Sequence, residues 1–371
     1  MKSVLVTGAK GFIGKNLIVA LKRRVDVDVI EHDLDSLSGL LEEGLGKADV
    51  IYHLAGVNRP ARVEEFSSGN FDLTRQVCDG LRQLGRLPLI VLSSSTQAAL
   101  DNPYGVSKQQ AEETVFDFGK ETGASVFVFR LSGVFGKWCL PNYNSVVATF
   151  SHNIARNLPI SISDSAREIE LIYVDDVIRA FIGVMDGLLP VSDGKYCLVK
   201  PTYRISLGAL AEKIKGFRDG RVSLVLPDIS DPFVRALYAT YVSYLPADSF
   251  AYALTQRIDP RGELTELIKS PHIGQIFVSR TRPGIMRGNH YHDTKVEKFV
   301  VLEGNAVIRF RHILGGDAIE YPVSGREFRV VDIPPGYTHA IENVGQIDLI
   351  VLFWADEIFD PDIPDAFGMV V

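Results

Sequence analysis

The strongest constraint on the fold is a change of texture partway along the 371 residues. Up to about residue 243, short β-branched runs alternate with longer stretches of helical period. "SVLVTG", "VDVIEH", "ADVIYHLAG", "PLIVLSSS" and "SVFVFRLS" read as strands. "GKNLIVALKRR", "DLTRQVCDGLRQLG" and a stretch from about Ser107 to Thr122 read as helices. Alternation of this kind builds a Rossmann-like, doubly wound α/β domain, a parallel sheet with helices on both faces. "YLPADSFAYALTQRIDPRG" then carries two prolines, an Asp-Pro turn signal and no clear period. Beyond it the segments are short, β-rich and broken by glycine and proline, as in an all-β barrel or sandwich. The expected organisation is an α/β domain over 1–243, a linker over 244–254 and a β domain over 255–371.

The length is too great for one average core, and 46% hydrophobic residues are ample for two packed interiors. A formal net charge of −7 gives no reason to expect a nucleic-acid partner. Cys78, Cys139 and Cys197 show no CxxC spacing, so buried reduced thiols are expected and a secreted disulfide framework is not. The sequence goes straight into a strand-and-glycine pattern and has no apolar run of membrane-spanning length, so a cytoplasmic protein without a membrane partner is the expectation.

In "TGAKGFIG", Gly8, Gly11 and Gly14 stand between a predicted strand and a predicted helix, with Lys10, Phe12 and Ile13 among them. Glycine there lets the chain turn tightly and approach a pyrophosphate, while the helix start offers unpaired N–H groups. Further on, Ser93 to Ser95 close a strand and "YGVSK" follows. Four residues on a helix put Tyr104 and Lys108 on one face. A lysine ammonium in that place would lower the tyrosine pKa and make the phenol a usable proton donor, with a serine hydroxyl on the same carbonyl.

Taken with "HLAG" at 53–56 and "YVDDV" at 173–177, this order resembles the extended short-chain dehydrogenases/reductases that act on nucleotide sugars. The resemblance implies a nicotinamide cofactor on the glycine turn and on Leu54, Ala55 and Gly56, with Tyr104 as catalytic acid and Lys108 as its partner. It implies Ser95 as the hydroxyl donor, with Ser94 as the alternative. Asp33 and Leu34 fall where the family contacts adenine. Lys10 and His32 are placed to meet a 2′-phosphate, which favours NADP(H). Arg167 matches the arginine set against the sugar-nucleotide diphosphate, a role suited to its bidentate geometry. Two departures touch the sugar side: only eight residues separate Ser95 from Tyr104, and Gly133 stands where the family has an asparagine.

In "GIMRGNHYHDTKVEKFVVLEG", His290 and His292 are two apart on a predicted strand and so leave one face. "DTK" can turn the chain and bring Glu297 back beside them, and His339 in "PPGYTHAIEN" can supply a fourth ligand. Imidazoles with one carboxylate suit Zn, Fe, Mn, Ni or Cu. The spacing of Gly284, His290, His292, Glu297 and Gly304 resembles the first motif of the cupins. Pro334, Gly336, His339 and Asn343 resemble the second, whose leading glycine is displaced to Gly325. A divalent metal, zinc as the first expectation, follows from that resemblance. Tyr291 and Lys298 neighbour the ligands but alternate away from them.

The pair of domains resembles the bifunctional enzymes of capsular polysaccharide synthesis, in which such a reductase is fused to a cupin. That resemblance implies a UDP-sugar substrate and two steps on one 4-keto sugar nucleotide: epimerisation at C3 by the cupin, then reduction at C4. The implied product is UDP-2-acetamido-2,6-dideoxy-L-talose, on the route to UDP-N-acetyl-L-fucosamine. It also implies a homodimer. A reductase with a purely structural or dimerising β domain, and a nicotinamide-sensing regulator, are the alternatives.

Overall fold

The computed structural model describes residues 1–371. The chain divides into two compact units, Met1–Lys215 with Ala236–Pro246, and Gly216–Arg235 with Ala247–Val371. No helix is long and apolar enough to cross a membrane.

The first unit is built on a seven-stranded sheet. Strand Lys2–Thr7 lies between Val27–His32 and Val50–His53, and the sheet continues through Leu89–Ser95 and Val126–Leu131 to a short edge hairpin. All these longer strands run parallel, as the alternation requires. Successive residues of the first strand face opposite cores. Val4 and Val6 pack with Leu17, Leu21 and Phe181 on one side, while Leu5 packs with Leu45, Leu81 and Phe118 on the other. Both faces are therefore covered, and the strand's centre, Val4–Val6, is a continuous apolar run instead of alternating with polar residues. A second, three-stranded sheet joins Gly133–Phe135, Glu168–Tyr173 and Tyr203–Ser206.

The helix expected from about Ser107 begins four residues earlier and runs Pro103–Thr122. Asn102 caps it, its side-chain oxygen accepting the Gly105 N–H at 2.9 Å, and Pro103 occupies the first turn where no N–H is needed. Tyr104 thus sits inside the first turn.

The second unit is an antiparallel β structure of two facing sheets, one of six strands and one of five. Between them lie Phe299, Val301, Ile308, Phe310, Ile333, Ile341, Val351 and Phe353, with Phe277 stacked on Phe353 at 4.7 Å. Strand Met286–Tyr291 pairs with Tyr337–Asn343, and their register shifts between Gly288 and His290. Asn289 takes a positive φ of 61° at that bulge. Gly288 has φ 99°, and a Cβ there would stand 2.7 Å from the His339 carbonyl oxygen, so only glycine fits.

Candidate active site and metal centre

The glycine turn packs as closely as its composition implies. A Cβ on Gly14 would lie 2.2 Å from the Gly8 carbonyl oxygen, and one on Gly8, whose φ is +71°, would lie 2.7 Å from the Ala55 nitrogen. The helix Phe12–Leu21 starts at Gly11 without a side-chain cap. The N–H groups of Phe12, Ile13 and Gly14 therefore have no intrahelical partner, a site suited to a diphosphate. The Lys10 N–H donates to Asp33 Oδ2 at 2.7 Å, tying this turn to the end of the second strand, and the Lys10 ammonium pairs with Asp35. Leu34 is almost fully exposed. The Nδ1 of His32 is buried without a partner.

Tyr104, Lys108 and Ser95 gather at the end of strand Leu89–Ser95. Lys108 is buried and donates to the Ser93 carbonyl at 2.8 Å. Burial brings its pKa down to about 8, against the opposing pull of Glu112. Burial raises the Tyr104 phenol, and a hydrogen bond with Ser95 partly offsets that rise. The expected lowering of Tyr104 by Lys108 is thus not the resting state, because the ammonium is turned to a main-chain carbonyl and desolvation of the phenol dominates. Ser94 is committed elsewhere: its hydroxyl donates to Glu112 Oε1 at 2.5 Å, and Arg130 holds the same carboxylate at 2.9 and 2.6 Å. Ser95, not Ser94, stands beside Tyr104. Arg167 is exposed on the loop before Glu168–Tyr173 and its guanidinium makes no ion pair. A Cβ on Gly133 would come within 3.0 Å of the Glu170 carbonyl oxygen, so the asparagine common in the family would crowd this backbone.

Two positions escaped the sequence reading. Asn70 is buried in the π-helical turn Ser67–Asp72. Its Oδ1 accepts from Val57 N–H at 2.9 Å, and its Nδ2 donates to the Val57 carbonyl and to Ser107 Oγ, both at 3.0 Å. It ties the 56–57 loop to the helix that carries Tyr104. His53 lies between Thr7 and Thr74 at 2.7 and 2.9 Å. Thr74 donates to the Asn70 carbonyl, so its oxygen accepts from His53 Nε2–H, and His53 Nδ1 accepts from Thr7. Burial holds His53 down to about 3, hence neutral. Thr7 in turn accepts the Ala55 N–H at 3.3 Å. The result is one directed chain of hydrogen bonds behind residues 54–57. The polar residues of "HLAG" and "SSGNFDLT" were the available signal, and their shared burial was not readable from spacing.

In the β unit the four predicted ligands converge. One atom from each of His290, His292, Glu297 and His339 lies within 4.8 Å of all the others. His290 sits opposite His339 in the strand register, and their rings are 4.5 Å apart. Glu297 opens strand Glu297–Glu303. Its Oε2 is 3.4 Å from His292 Nε2 and 3.7 Å from His339 Nε2. Both these Nε2 atoms are buried without a hydrogen-bond partner, as is His339 Nδ1. Burial lowers His290, and it pushes His339 down to about 3. Burial alone would raise Glu297, but the electrostatic pull of the imidazoles around it, His292 foremost, holds it below its ordinary value. Buried, unpaired imidazole nitrogens around an ionised carboxylate are the donor set of a divalent cation, so the residues fit that group. Tyr291 turns away to pack on Phe367 at 5.3 Å, and Lys298 pairs with Asp332.

Residues 4–189 match the NAD dependent epimerase/dehydratase family, and residues 257–367 match the polysaccharide biosynthesis C-terminal domain. The chain is 46% identical over 368 residues to UDP-2-acetamido-2,6-beta-L-arabino-hexul-4-ose reductase of Pseudomonas aeruginosa, covering 99% of this chain and 98% of that protein. It is 44% identical to the crystal structure of the capsular polysaccharide assembling protein CapF of Staphylococcus aureus. That superposition has a TM-score of 0.93 and covers 99% of this chain and 100% of the other. UDP-glucuronic acid 4-epimerase of Bacillus cereus in complex with NAD, at 17% identity and TM-score 0.55 over 65% of this chain and 98% of the other, shares the fold alone.

Proposed function

The chain belongs to the NAD dependent epimerase/dehydratase family, and we propose that it is a two-domain epimerase and reductase acting on a UDP-4-keto-2-acetamido-2,6-dideoxyhexose. The β domain inverts C3, and the α/β domain then reduces C4 to give UDP-2-acetamido-2,6-dideoxy-L-talose. The observation that carries this reading is the full-length likeness to a hexul-4-ose reductase, since it spans both domains.

In the reductive step NADPH supplies the hydride. The Tyr104 hydroxyl gives its proton to the C4 oxygen, and Ser95 hydrogen-bonds the same oxygen as charge develops there. The Lys108 ammonium, beside this helix face, stabilises the phenolate that remains. The unpaired N–H groups of Phe12, Ile13 and Gly14 hold the cofactor diphosphate. Lys10 and His32 support NADPH over NADH, so Lys10→Ala raises KM for NADPH and not for NADH; equal effects would remove Lys10 as the discriminating residue.

The hydrogen at C3 is acidic because it lies α to the C4 ketone. A divalent cation, zinc as the first choice, held by His290, His292, Glu297 and His339 would polarise that ketone and stabilise the charge left when the C3 proton departs. Phe299 and Phe310 keep apolar surface against His339 and exclude water from that side. Reduction at C4 removes the acidity of C3 and fixes the new configuration.

The active form is taken as a cytoplasmic homodimer, where NADPH and UDP-sugars occur together; light scattering at the mass of one chain would remove the dimer. The deciding experiment is proton NMR of the 4-keto sugar nucleotide in D₂O with nicotinamide omitted, run with metal-loaded and metal-stripped protein. Exchange at C3 that vanishes on stripping supports metal-dependent epimerisation by the β domain, and C4 reduction on adding NADPH supports the other half. Absence of exchange with loaded protein leaves a 4-ketoreductase alone.

A further inference from the structure

Asp365 touches the candidate metal centre twice without being one of its four ligands. Its main-chain carbonyl accepts from His292 Nδ1 at 2.5 Å. A carbonyl only accepts, so Nδ1 carries the proton and Nε2 is the ring atom left to face Glu297 and a cation. Its carboxylate accepts the N–H groups of Asp293, Thr294 and Lys295 at 2.9, 3.0 and 2.8 Å, and the Thr294 hydroxyl at 3.0 Å. Those three residues form the turn between ligands His292 and Glu297. Lys295, itself buried, returns the contact by donating to the Pro364 carbonyl at 2.8 Å.

The chain beyond Asp365 is fastened along the same strands. Gly368 pairs with His290 and Phe367 with Tyr291. Met369 N–H donates to the Asn289 carbonyl at 2.9 Å, Val371 N–H to Asn289 Oδ1 at 3.2 Å, and Arg311 to the Val370 carbonyl at 2.7 Å. Thr338, next to His339, donates its hydroxyl to the Met369 carbonyl. Asp365 takes a φ of +33°, a conformation rare for a residue with a side chain and maintained by these contacts on both sides.

We propose that Asp365 is a positioning residue of the metal centre and that residues 364–371 form a clamp around it. The clamp fixes the tautomer of His292 and holds the turn between two ligands, so the donor atoms are arranged before a cation arrives. This rests on the reading that the four residues bind a divalent cation. The sequence hid it because Asp365 is 73 residues from His292 and lies in a segment, "PDIPDAFGMVV", with no period.

The test uses the full chain with Asp365→Ala and Asp365→Asn. Zinc affinity is measured by competition with a chromogenic chelator, and imidazole ¹⁵N NMR reads the tautomer of His292 in the metal-free proteins. Disturbing the hydrogen-bonding partner behind a metal ligand lowers affinity by about 10–100-fold. Asp365→Ala keeps the main-chain carbonyl but removes the carboxylate that anchors it to the turn of residues 293–295, so the carbonyl is released from His292 and a loss of that order is expected. The His292 signals are expected to move from a single Nδ1–H form to a tautomeric mixture. Circular dichroism establishes that each variant is folded; should Asp365→Ala fail, Asp365→Asn, of equal size but with an amide facing the N–H groups, decides the matter. A folded variant that binds zinc like the parent and keeps the parent's tautomer overturns the clamp. A parent that binds no zinc defeats the metal reading instead, and the tautomer readout still decides the clamp.

Discussion

The two candidate sites treat their polar atoms in opposite ways. Around Tyr104, nearly every buried group is already paired: Lys108 with the Ser93 carbonyl, Ser94 with Glu112, Asn70 with Val57 and Ser107. Only Tyr104 and Ser95 remain to meet a substrate. In the β domain the reverse holds, since the inward nitrogens of His292 and His339 are buried with no partner. A buried polar group without a hydrogen bond is destabilising by about 1–3 kcal/mol, so that centre tolerates its own geometry only in return for a ligand. The difference teaches that the reductive site completes itself on folding, whereas the proposed metal site would be finished by what it binds.

Four experiments break or sharpen that comparison. The largest effect is expected from stripping metal. C3 exchange should fall to background, and the unfolding of the β domain should move to lower temperature while that of the α/β domain holds. Binding at 100 times Kd contributes about 2.7 kcal/mol, and calorimetry with and without zinc reads it. A β domain equally stable in both states would remove the contrast. Next, Tyr104→Phe should slow NADPH-dependent reduction by about 10²–10⁴-fold, with C3 exchange in D₂O continuing at the parental rate; loss of both would place the two steps in one site. Third, Ser95→Ala should lower kcat by about 10²-fold, the scale for removing a donor to a developing oxyanion. Ser94→Ala should instead lower stability by about 0.5–1.5 kcal/mol through loss of one hydrogen bond to Glu112, which Arg130 still pairs. If kcat responds to Ser94 and not to Ser95, the hydroxyl roles are exchanged. The smallest is a pH effect. Lys108 is charged below about 8 in the free protein, so kcat/KM for reduction should decline toward tenfold per pH unit as pH rises past that value. A Lys108→Met variant should be slower and lack that limb, and a parent profile flat to pH 10 would contradict the assignment.

The parts of the fold visible in sequence were those set by local pattern. Apolar runs placed the parallel strands, and the His290–Glu297 spacing placed three ligands because one short connection between the two sheets carries them. The start of the Tyr104 helix was misplaced although Asn102 and Pro103 form a recognisable cap and first turn. The helix Leu40–Lys47, in "LLEEGLGK", contains two glycines that weaken its propensity, and it was not anticipated. What stayed hidden depends on distant contacts. Asn70 reaches Ser107 across 37 residues, and no periodicity encodes such a meeting. Ser94 and Ser95 differ only in which face of the strand each occupies, and that was settled by Glu112 on a neighbouring helix.

The missing side chain at Gly288 has a consequence for which ions the centre can accommodate. His290 and His339 face each other across paired strands, and the ladder sets main-chain separations there within a range of about 4.5–5.5 Å. That gauge is made of backbone and is indifferent to the identity of the side chains mounted on it. Replacing one imidazole alters the chemistry of the grip. Replacing Gly288 would prise the strands apart and alter its span, so the four side chains proposed to hold a cation would no longer converge.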